Sequence, residues 1–215
     1  MCYFGSEAAK VSEYYGISSA PILLTENADQ AVEVSEKLGF PVVLKIASDK
    51  ILHKTDVGGV KVGIKSADEV RVAFSEILEN VKKAHPDIPA NTIEVQKMMP
   101  KGVEAIIGMM RDAQFGPMIA FGMGGIYVNL IKDASFRLAN GLTMEAIQEQ
   151  LEETKVYTLL KGYRGENPSD IEAVKNVIAR VAKLTLDFPE ITELDINPVF
   201  VYENGISALD VKITL

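Results

Sequence analysis

Two periodicities of apolar residues divide the first part of the chain into helices and strands. Ala31, Val34 and Leu38 recur at helical spacing. The β-branched run Val42–Ile46 and the alternating segment Val60–Ile64 have the composition of strands instead. The pattern therefore predicts a βαβ-like order. The predicted elements are helices at Glu7–Tyr15, Asn27–Leu38 and Ser66–Ala84, and strands at Ile22–Leu24, Val42–Ile46 and Val60–Ile64.

Short strand-like segments replace this pattern after the third predicted helix. We expect Thr92–Met98 and Val103–Met110 to pair as a hairpin, because Pro100-Lys101-Gly102 between them has the composition of a turn. The change of composition predicts an α/β (α+β) fold of two α/β lobes, residues 1–90 and 91–215. The remaining predicted elements are strands at Pro117–Phe121, Tyr127–Ile131 and Ser135–Ala139, helices at Thr143–Gln150, Glu152–Leu160 and Ser169–Leu186, and a last hairpin of Glu190–Tyr202 with Gly205–Val211.

Composition and charge narrow the classes of function. With 47% apolar and 24% charged residues among 215, the chain has the balance of an ordinary globular protein. A net charge of −8 argues against a general nucleic-acid or anionic-membrane surface, since the protein would repel a polyanion. Cys2 is the only cysteine, which excludes an internal disulfide. No apolar run approaches the ~20 residues of a membrane span, so we expect a cytoplasmic protein.

A phosphate-binding hairpin is predicted where the strand ending near Lys45 passes into the next one. Lys45 is a fixed cation on a rigid strand, and the Gly58-Gly59 turn offers backbone N–H groups that can surround an anion. His53 lies in the loop between them. A lone loop histidine is more often an incidental polar residue than a catalyst, so its position alone does not assign it a role.

The C-terminal hairpin contains a possible metal site. Glu193, Asp195 and Asn197 share one face of a strand because they are spaced two residues apart. Antiparallel pairing could bring Asp210 of the second strand near Asn197. Carboxylate and amide oxygens are ligands that Mg²⁺ prefers, with nucleotide phosphates completing its shell. A solvated polar face on an edge hairpin explains the same pattern, and the spacing leaves both interpretations open.

The glycine-rich segment FGMGG, residues 121–125, does not fit a dinucleotide-binding motif. That motif needs a third glycine and a following helix, whereas Tyr127 occupies the glycine position and strand-like residues follow it. A tight turn near a ligand is the better interpretation.

Taken in order, six segments of the chain resemble the ATP-grasp fold, and more closely the β subunit of ADP-forming acyl-CoA (acetyl-CoA) synthetases, which are related to succinyl-CoA synthetase. The segments are GFPVVLK, ILHKTDVGGVKVGI, VQKMMPKGVEAIIG, FGMGGIYVNLIKDASFRLA, GYRG and ELDINPVF with ALDVK. The resemblance covers almost the whole chain. It implies an ATP-grasp fold in which the two α/β lobes enclose a nucleotide cleft.

The resemblance also implies a role for individual residues. His53 would be a transient phosphohistidine, and Mg²⁺ would be held by Asn197 and Asp210. Arg137 and Arg164 would contact phosphate or another subunit, although either could equally be a structural ion pair. The implied nucleotide-binding residues are Lys45 at the phosphates, Gly58, Gly59 and Lys61 in the loop that covers them, Gln96, Lys97 and Met98 in the hinge beside adenine, and Glu104 near the ribose.

The function implied by the resemblance is that of the nucleotide-binding subunit of an ADP-forming acid–CoA ligase. Such an enzyme forms ATP reversibly from ADP, phosphate and an acyl-CoA, with Mg²⁺ bound to ADP or ATP. A separate CoA-binding α subunit, in an α₂β₂ assembly, would complete the reaction.

Three alternatives are open at the level of the sequence. A self-contained ATP-grasp carboxylate ligase would use the same lysines and metal ligands without requiring His53. A nucleotide-sensing ATP-grasp module would bind ATP or ADP with Mg²⁺ and never become phosphorylated. An acidic α/β protein without a nucleotide site explains the composition but not the ordered set of motifs.

Overall fold

The chain alternates helices with antiparallel strands throughout the described residues, which in this computed structural model are 1–48, 50–51, 54–89, 91–125 and 133–215. The strands are β1 (Cys2–Phe4), β2 (Ile22–Thr25), β3 (Val42–Ile46), β4 (Val60–Ile64), β5 (Ile93–Lys97), β6 (Val103–Asp112), β7 (Gly116–Met123), β8 (Ala134–Leu138), β9 (Glu193–Val201), β10 (Ile206–Ala208) and β11 (Val211–Thr214). The helices are α1 (Gly5–Tyr14), α2 (Ala28–Leu38), α3 (Ala67–Ala84), α4 (Met144–Glu152), α5 (Lys155–Leu160) and α6 (Ile171–Asp187).

These elements form two units, which we call the small unit (residues 20–100) and the large unit (residues 1–19 and 101–215). The small unit contains an antiparallel sheet in the order β2-β5-β3-β4. Since β2 and β3 both run antiparallel to β5 between them, β2-α2-β3 is a split βαβ unit. The predicted βαβ-like order is therefore present, with β5 inserted between β2 and β3 in the sheet.

Capping residues explain where the small unit's helices begin. The side chain of Asn27 accepts a hydrogen bond from the Gln30 N–H at 2.9 Å, at the start of α2. The side chain of Ser66 accepts from the Glu69 N–H at 3.3 Å, and the Glu69 carboxylate accepts from the Lys65 N–H at 2.8 Å. The helices then bury their apolar stripes in one core with β3 and β5. The buried core residues are Ala31, Val32, Val42, Leu44, Ile46, Ile51, Ile64, Val70, Ala73, Phe74, Ile77, Val81, Ile93 and Val95.

The large unit is built on a sheet in the order β1-β11-β9-β6-β7-β8, with β10 also pairing with β9. Alternate residues of β6, among them Ala105, Ile107 and Met109, are buried with Ile119 and Phe121 of β7 in a second core. The helices α4, α5 and α6 contribute their apolar residues to the same core. One face of the central strands is therefore packed on helices. Because side chains alternate along a strand, Glu104 of β6 points to the opposite face.

Three predictions about the fold differ from the structure. The predicted hairpin of Thr92–Met98 with Val103–Met110 is wrong, because β5 pairs with β2 and β3 whereas β6 pairs with β7 and β9. The chain also divides at positions different from 90/91. Since β5 belongs to the small sheet and β1 pairs with β11, residues 91–100 join the small unit and residues 1–19 join the large one.

The last predicted hairpin is also modified. Its second strand is divided into β10 and β11, which both pair with β9, and Asp210 lies in the break between them. The strand predicted at Tyr127–Ile131 lies outside the described residues. None of the helices in the described ranges combines the length and the apolar composition needed to cross a membrane.

Candidate active site

A polar face in the small sheet contains two of the predicted nucleotide-binding residues. Lys45 on β3 lies directly across from Glu94 on β5, and Gln96 lies across from Val43, two residues away. Residues opposite one another in an antiparallel pair point to the same side, so these polar side chains share a face. The structure thus brings Lys45 and Gln96 together and adds Glu94, which is only 2% exposed. Sequence reasoning missed Glu94, although its alternation with Gln96 inside an apolar strand was a usable signal.

The side chain of Lys97 has a structural role within the small unit. Its ammonium group donates to the carbonyl oxygens of Gly39 and Phe40, in the loop that follows α2. The Met98 N–H donates to the carbonyl oxygen of Pro41 at 3.2 Å in the same loop. Lys97 therefore stabilises the junction between α2 and β3, and its place in the hinge beside adenine stays a prediction.

The Gly58-Gly59 turn does not present its N–H groups to an anion. The Gly58 N–H donates to the Thr55 carbonyl oxygen at 3.0 Å, and the Gly59 N–H donates to that of Lys54 at 2.8 Å. Gly58 has a φ of +67° and lies so close to Asn80 that a Cβ would come within 2.7 Å of Asn80 Nδ2. In this structure both N–H groups close the turn itself and are not offered to an anion, and the part of the turn in nucleotide binding stays a prediction.

Lys61, a further predicted residue of this region, forms an ion pair, and the predicted catalyst lies outside the described residues. Lys61 Nζ lies 2.5 Å from Glu76 Oε2 on α3, in a partly exposed ion pair. This pairing reduces the positive charge that Lys61 can offer to a phosphate. His53, the predicted phosphohistidine, lies outside the described residues. In the same segment of the chain, Ile51 is buried in the small unit's core.

In the large unit, Glu104 and Arg164 line one cleft of about 1000 Å³. Its other polar lining residues include Lys101, Tyr163 and Glu203. Arg164 has a φ of +54°, and its guanidinium carbon lies 5.3 Å from the centre of the Tyr163 ring. A cleft lined by a carboxylate and by a cation stacked on an aromatic ring can bind a ligand that has both a planar group and hydroxyl groups. The structure thereby brings Glu104 and Arg164 together.

Arg137 forms a structural ion pair, which was the open alternative for this residue. Its two terminal nitrogens lie 3.1 and 2.7 Å from the two carboxylate oxygens of Glu153, at the end of α4. The hydrogen bond with Glu153 raises the pKa of Arg137 above its ordinary value, and the same bond lowers the pKa of Glu153. The guanidinium is thus engaged in bidentate pairing within the large unit.

The main chains of the two predicted metal ligands lie beside each other. The Asn197 N–H donates to the Asp210 carbonyl oxygen at 3.1 Å, and Asn197 Oδ1 accepts a hydrogen bond from the Gly125 N–H at 3.0 Å. Asp195 lies two residues earlier on the same face of β9. Burial, followed by the charges of Glu193 and Asp210, raises the pKa of Asp195 to about 6. Sequence reasoning grouped Asp195 with this face but did not include it among the metal ligands.

This donor set fits a hard divalent cation that is also bound to phosphate. Burial, and after it repulsion from Glu193 and Asp210, raises the Asp195 pKa, and a bound cation relieves such repulsion. Across the described ranges, no group of three or more His, Cys, Asp or Glu side chains is arranged to hold a metal without other ligands. Two protein ligands completed by phosphate oxygens and water are the usual arrangement for Mg²⁺.

A comparison with protein families identifies the class. The family model described as an ATP-grasp domain matches residues 3–215. The predicted ATP-grasp fold is therefore confirmed.

Individual relatives narrow the family further. The β subunit of acetate–CoA ligase [ADP-forming] I from Pyrococcus furiosus is 44% identical over 209 residues, covering 97% of this chain and 90% of that protein. Acetate–CoA ligase [ADP-forming] I from Archaeoglobus fulgidus is 47% identical over 211 residues, covering 98% of this chain. This chain spans only 30% of the length of the Archaeoglobus protein.

Solved structures agree with these relatives. Dinucleotide forming acetyl-coenzyme A synthetase 1 from Ca. Korarchaeum cryptofilum, in complex with coenzyme A and Ca-AMPCP, superimposes with a TM-score of 0.95 and 45% identity over 100% of this chain and 93% of that one. A form with Mg-AMPPCP, whose phosphohistidine segment points towards the nucleotide binding site, has a TM-score of 0.85 and 43% identity over 98% of this chain and 91% of that one. The chain belongs to the ATP-grasp family of ADP-forming acetate–CoA ligase β subunits and their longer relatives. The predicted resemblance is confirmed.

Proposed function

We propose that this chain is the nucleotide-binding subunit of an ADP-forming acid–CoA ligase. This acid–thiol ligase interconverts acyl-CoA, ADP and phosphate with acid, CoA and ATP. The observation that carries the proposal is the adjacent set of hard oxygen donors Asp195, Asn197 and Asp210. It occurs in a chain that aligns with an ADP-forming ligase β subunit over 97% of its length.

The nucleotide contacts are proposed separately for each unit. In the small unit, the Lys45 ammonium binds phosphate oxygens through charge-assisted hydrogen bonds, while Gln96 and Met98 lie beside the adenine. In the large unit, the Glu104 carboxylate accepts hydrogen bonds from ribose hydroxyls, and Arg164 contacts the nucleotide from the same cleft. The shared polar face of Lys45 and Gln96 supports the first assignment, and the shared cleft of Glu104 and Arg164 supports the second.

Magnesium is proposed to bind at Asn197 and Asp210 together with ADP or ATP. The bound cation would offset the negative charge of the phosphoryl group in transfer. The amide oxygen of Asn197 and the carboxylate of Asp210 supply hard ligands, and Asp195 adds negative charge beside them. The Korarchaeum structure with Mg-AMPPCP supports this pairing of Mg²⁺ with a nucleotide.

His53 is proposed to relay the phosphoryl group. Its neutral imidazole nitrogen would attack the phosphorus of a phosphohistidine on the partner subunit, so that one N–P bond forms as the other breaks. A terminal phosphate oxygen of ADP would then attack, forming an O–P bond as the His53 N–P bond breaks and neutral imidazole leaves. The phosphohistidine segment described for the Korarchaeum relative supports this assignment.

A CoA-binding α subunit is the proposed partner, in an α₂β₂ heterotetramer. The Pyrococcus relative is a β subunit of nearly the same length as this chain, whereas the Archaeoglobus relative is more than three times longer, which supports a function shared with further domains. ADP, ATP and phosphate are the proposed small ligands, and the charge of −8 disfavours nucleic acid. The cytoplasmic location stays a prediction.

Intact-mass measurement and peptide mapping test the relay directly. The purified chain is incubated with Mg²⁺ and ATP, alone and with its α subunit. We expect one acid-labile phosphoryl group on the peptide that contains His53, and no turnover in His53→Ala, because the variant lacks the nitrogen that accepts the group. ADP affinity should stay within about tenfold, ~1.4 kcal/mol, of the original.

The second histidine provides a matched control. The chain has two histidines, and His85 is the C-cap residue of α3, so His85→Gln should keep both phosphorylation and turnover. Nucleotide binding without phosphorylation, even with the α subunit present, would contradict the relay and favour the carboxylate-ligase or sensor alternatives.

A further inference from the structure

The glycine-rich segment at residues 121–125 has no part in the function proposed above. Its last residue, Gly125, donates its backbone N–H to Asn197 Oδ1 at 3.0 Å, although the two are 72 positions apart in the chain. We propose that Gly125 is a positioning residue, whose N–H orients the Asn197 carboxamide for metal binding. The inference rests on the proposed function in one respect, the assignment of Asn197 as a metal ligand.

Orientation matters because the two ends of a carboxamide differ. The oxygen has two lone pairs and can accept an N–H while it also binds a cation, whereas the NH₂ group has only donors. A backbone N–H cannot accept a hydrogen bond from that NH₂ group, so it favours the conformation in which the oxygen faces Gly125. Hydrogen bonds that orient metal ligands in this way are common, and their loss typically lowers metal affinity by about 10- to 100-fold.

The position of the Gly125 N–H depends on glycine. Gly125 has a φ of +77°, a left-handed conformation that costs little only for glycine, and a Cβ there would overlap the Glu104 carboxylate. The preceding Gly124 donates its N–H to the Glu104 carbonyl oxygen at 3.0 Å, and a Cβ on Gly124 would overlap the backbone of Ala105. Close packing against β6 therefore holds the glycine-rich segment in a position from which the Gly125 N–H can bond to Asn197 Oδ1.

The main chain of Asn197 is held independently of Gly125. Its N–H donates to the Asp210 carbonyl oxygen at 3.1 Å, and the Leu209 N–H donates to that of Pro198 at 3.0 Å. These bonds fix the backbone of both proposed metal ligands without setting the rotation of the Asn197 carboxamide. Among its described contacts, that rotation is set by the bond from Gly125.

The test measures metal binding without any turnover. ADP dissociation constants are determined by calorimetry in EDTA and at one fixed Mg²⁺ concentration below saturation. The value in EDTA divided by the value in Mg²⁺ is the ratio used here, and it falls when the metal binds more weakly beside the nucleotide. Displacement of Glu104 by a new Cβ changes both constants, so it cancels in the ratio. We expect Gly125→Ala to lower the ratio about tenfold or more.

Gly116→Ala is the matched control. Gly116 lies on the same sheet and also has a positive φ, +80°. No atom lies within 4 Å of the position that an added Cβ would occupy. Gly116→Ala therefore has a similar backbone cost to Gly125→Ala but creates no steric overlap. Its ratio should stay within about twofold of the original. If Gly125→Ala fails to fold, the double variant Glu104→Ala/Gly125→Ala removes the overlap between the new Cβ and the Glu104 carboxylate. The ratio of this double variant is then compared with that of Glu104→Ala alone.

A double-mutant cycle separates orientation from general disruption. In Asn197→Asp both oxygens are equivalent, so no orientation has to be selected, and Gly125→Ala should lower the ratio much less in this background. An unchanged ratio in Gly125→Ala, or an equal loss in both backgrounds, would overturn the inference. A ratio of one in the unaltered chain would overturn the proposed metal site itself, and it would be recognised before any variant is made.

Discussion

Two glycine pairs that look alike in the sequence have different uses in the structure. In the small unit, the N–H groups of Gly58-Gly59 donate to the carbonyl oxygens of Thr55 and Lys54, a few positions earlier, and close their own turn. In the large unit, the Gly124-Gly125 pair donates to β6 and to the side chain of Asn197 on β9. The first pair serves the local fold, whereas the second connects distant elements next to the proposed metal site.

The difference shows that the role of a glycine pair depends on which acceptors its N–H groups bind. A turn that satisfies its own donors has none to offer to a phosphate. In the small unit, the proposed phosphate binding therefore falls to side chains, and two lysines on neighbouring strands are candidates. Lys45 shares a face with Gln96 and Glu94, and Lys61 forms an ion pair with Glu76.

The largest effect on nucleotide affinity in the small unit is expected at Lys45. Lys45→Ala should weaken ADP binding by roughly 10- to 100-fold, since a hydrogen bond to a charged group contributes about 1.5–3 kcal/mol. Lys61→Ala should weaken it no more than about threefold, because its ammonium is already paired with Glu76. Calorimetric titration of both variants with ADP measures the contrast.

Equal losses in the two lysine variants would show that the ion pair of Lys61 opens to bind phosphate, and that the turn and its flanking strand act as one phosphate-binding loop. Glu76→Gln provides the control. It releases Lys61 without removing its charge, so ADP affinity should be unchanged or slightly higher.

The local elements of both units could be predicted because their signals are local. The strands β3 and β4 have the predicted bounds, and the helices predicted from Asn27 and from Ser66 begin directly after these two residues. Strand partners could not be predicted in the same way. Pro100-Lys101-Gly102 has the composition of a hairpin turn, but it leads from the small unit to the large one, and nothing within those residues specifies that β5 pairs with β2 and β3.

The same limit applies to the site. The proximity of Asn197 and Asp210 followed from pairing between the last strands, and the structure places them side by side. The bond from Gly125 to Asn197 joins residues 72 positions apart, so no short motif could indicate it. Burial of Glu94 and the engagement of Lys97 by the loop after α2 likewise depend on packing that only the folded chain defines.

The contrast between the glycine pairs predicts an effect on stability alone in the small unit. A Cβ on Gly59 would lie 2.8 Å from Ile46 Cγ2 and 2.9 Å from the Lys54 carbonyl oxygen. Gly59→Ala should therefore destabilise the chain by about 1–3 kcal/mol through overpacking. The ratio of ADP dissociation constants with and without Mg²⁺ should not change. Denaturant unfolding and calorimetry measure the two quantities.

Gly63→Ala is the control for this experiment. Gly63 lies on the strand that follows the turn, with a φ of +74° and no atom within 4 Å of an added Cβ, so its cost is limited to the backbone, about 1 kcal/mol. A Gly59→Ala variant that loses metal coupling while keeping its stability would remove the distinction between the two glycine pairs.

The smallest effect is expected at Arg137, which forms its ion pair with Glu153 inside the large unit. Because the bidentate bond with Arg137 lowers the pKa of Glu153, the pair stabilises the fold above the ordinary pKa of a glutamate and loses that contribution as the pH falls through the lowered value. Arg137→Gln should lower the melting temperature at pH 7, and the difference should shrink below about pH 4. Lys83→Gln, whose exposed partner Glu79 is 3.7 Å away, should change it less. ADP affinity should stay unaltered in Arg137→Gln, and a marked loss of affinity at unchanged melting temperature would restore the phosphate-binding interpretation of this residue.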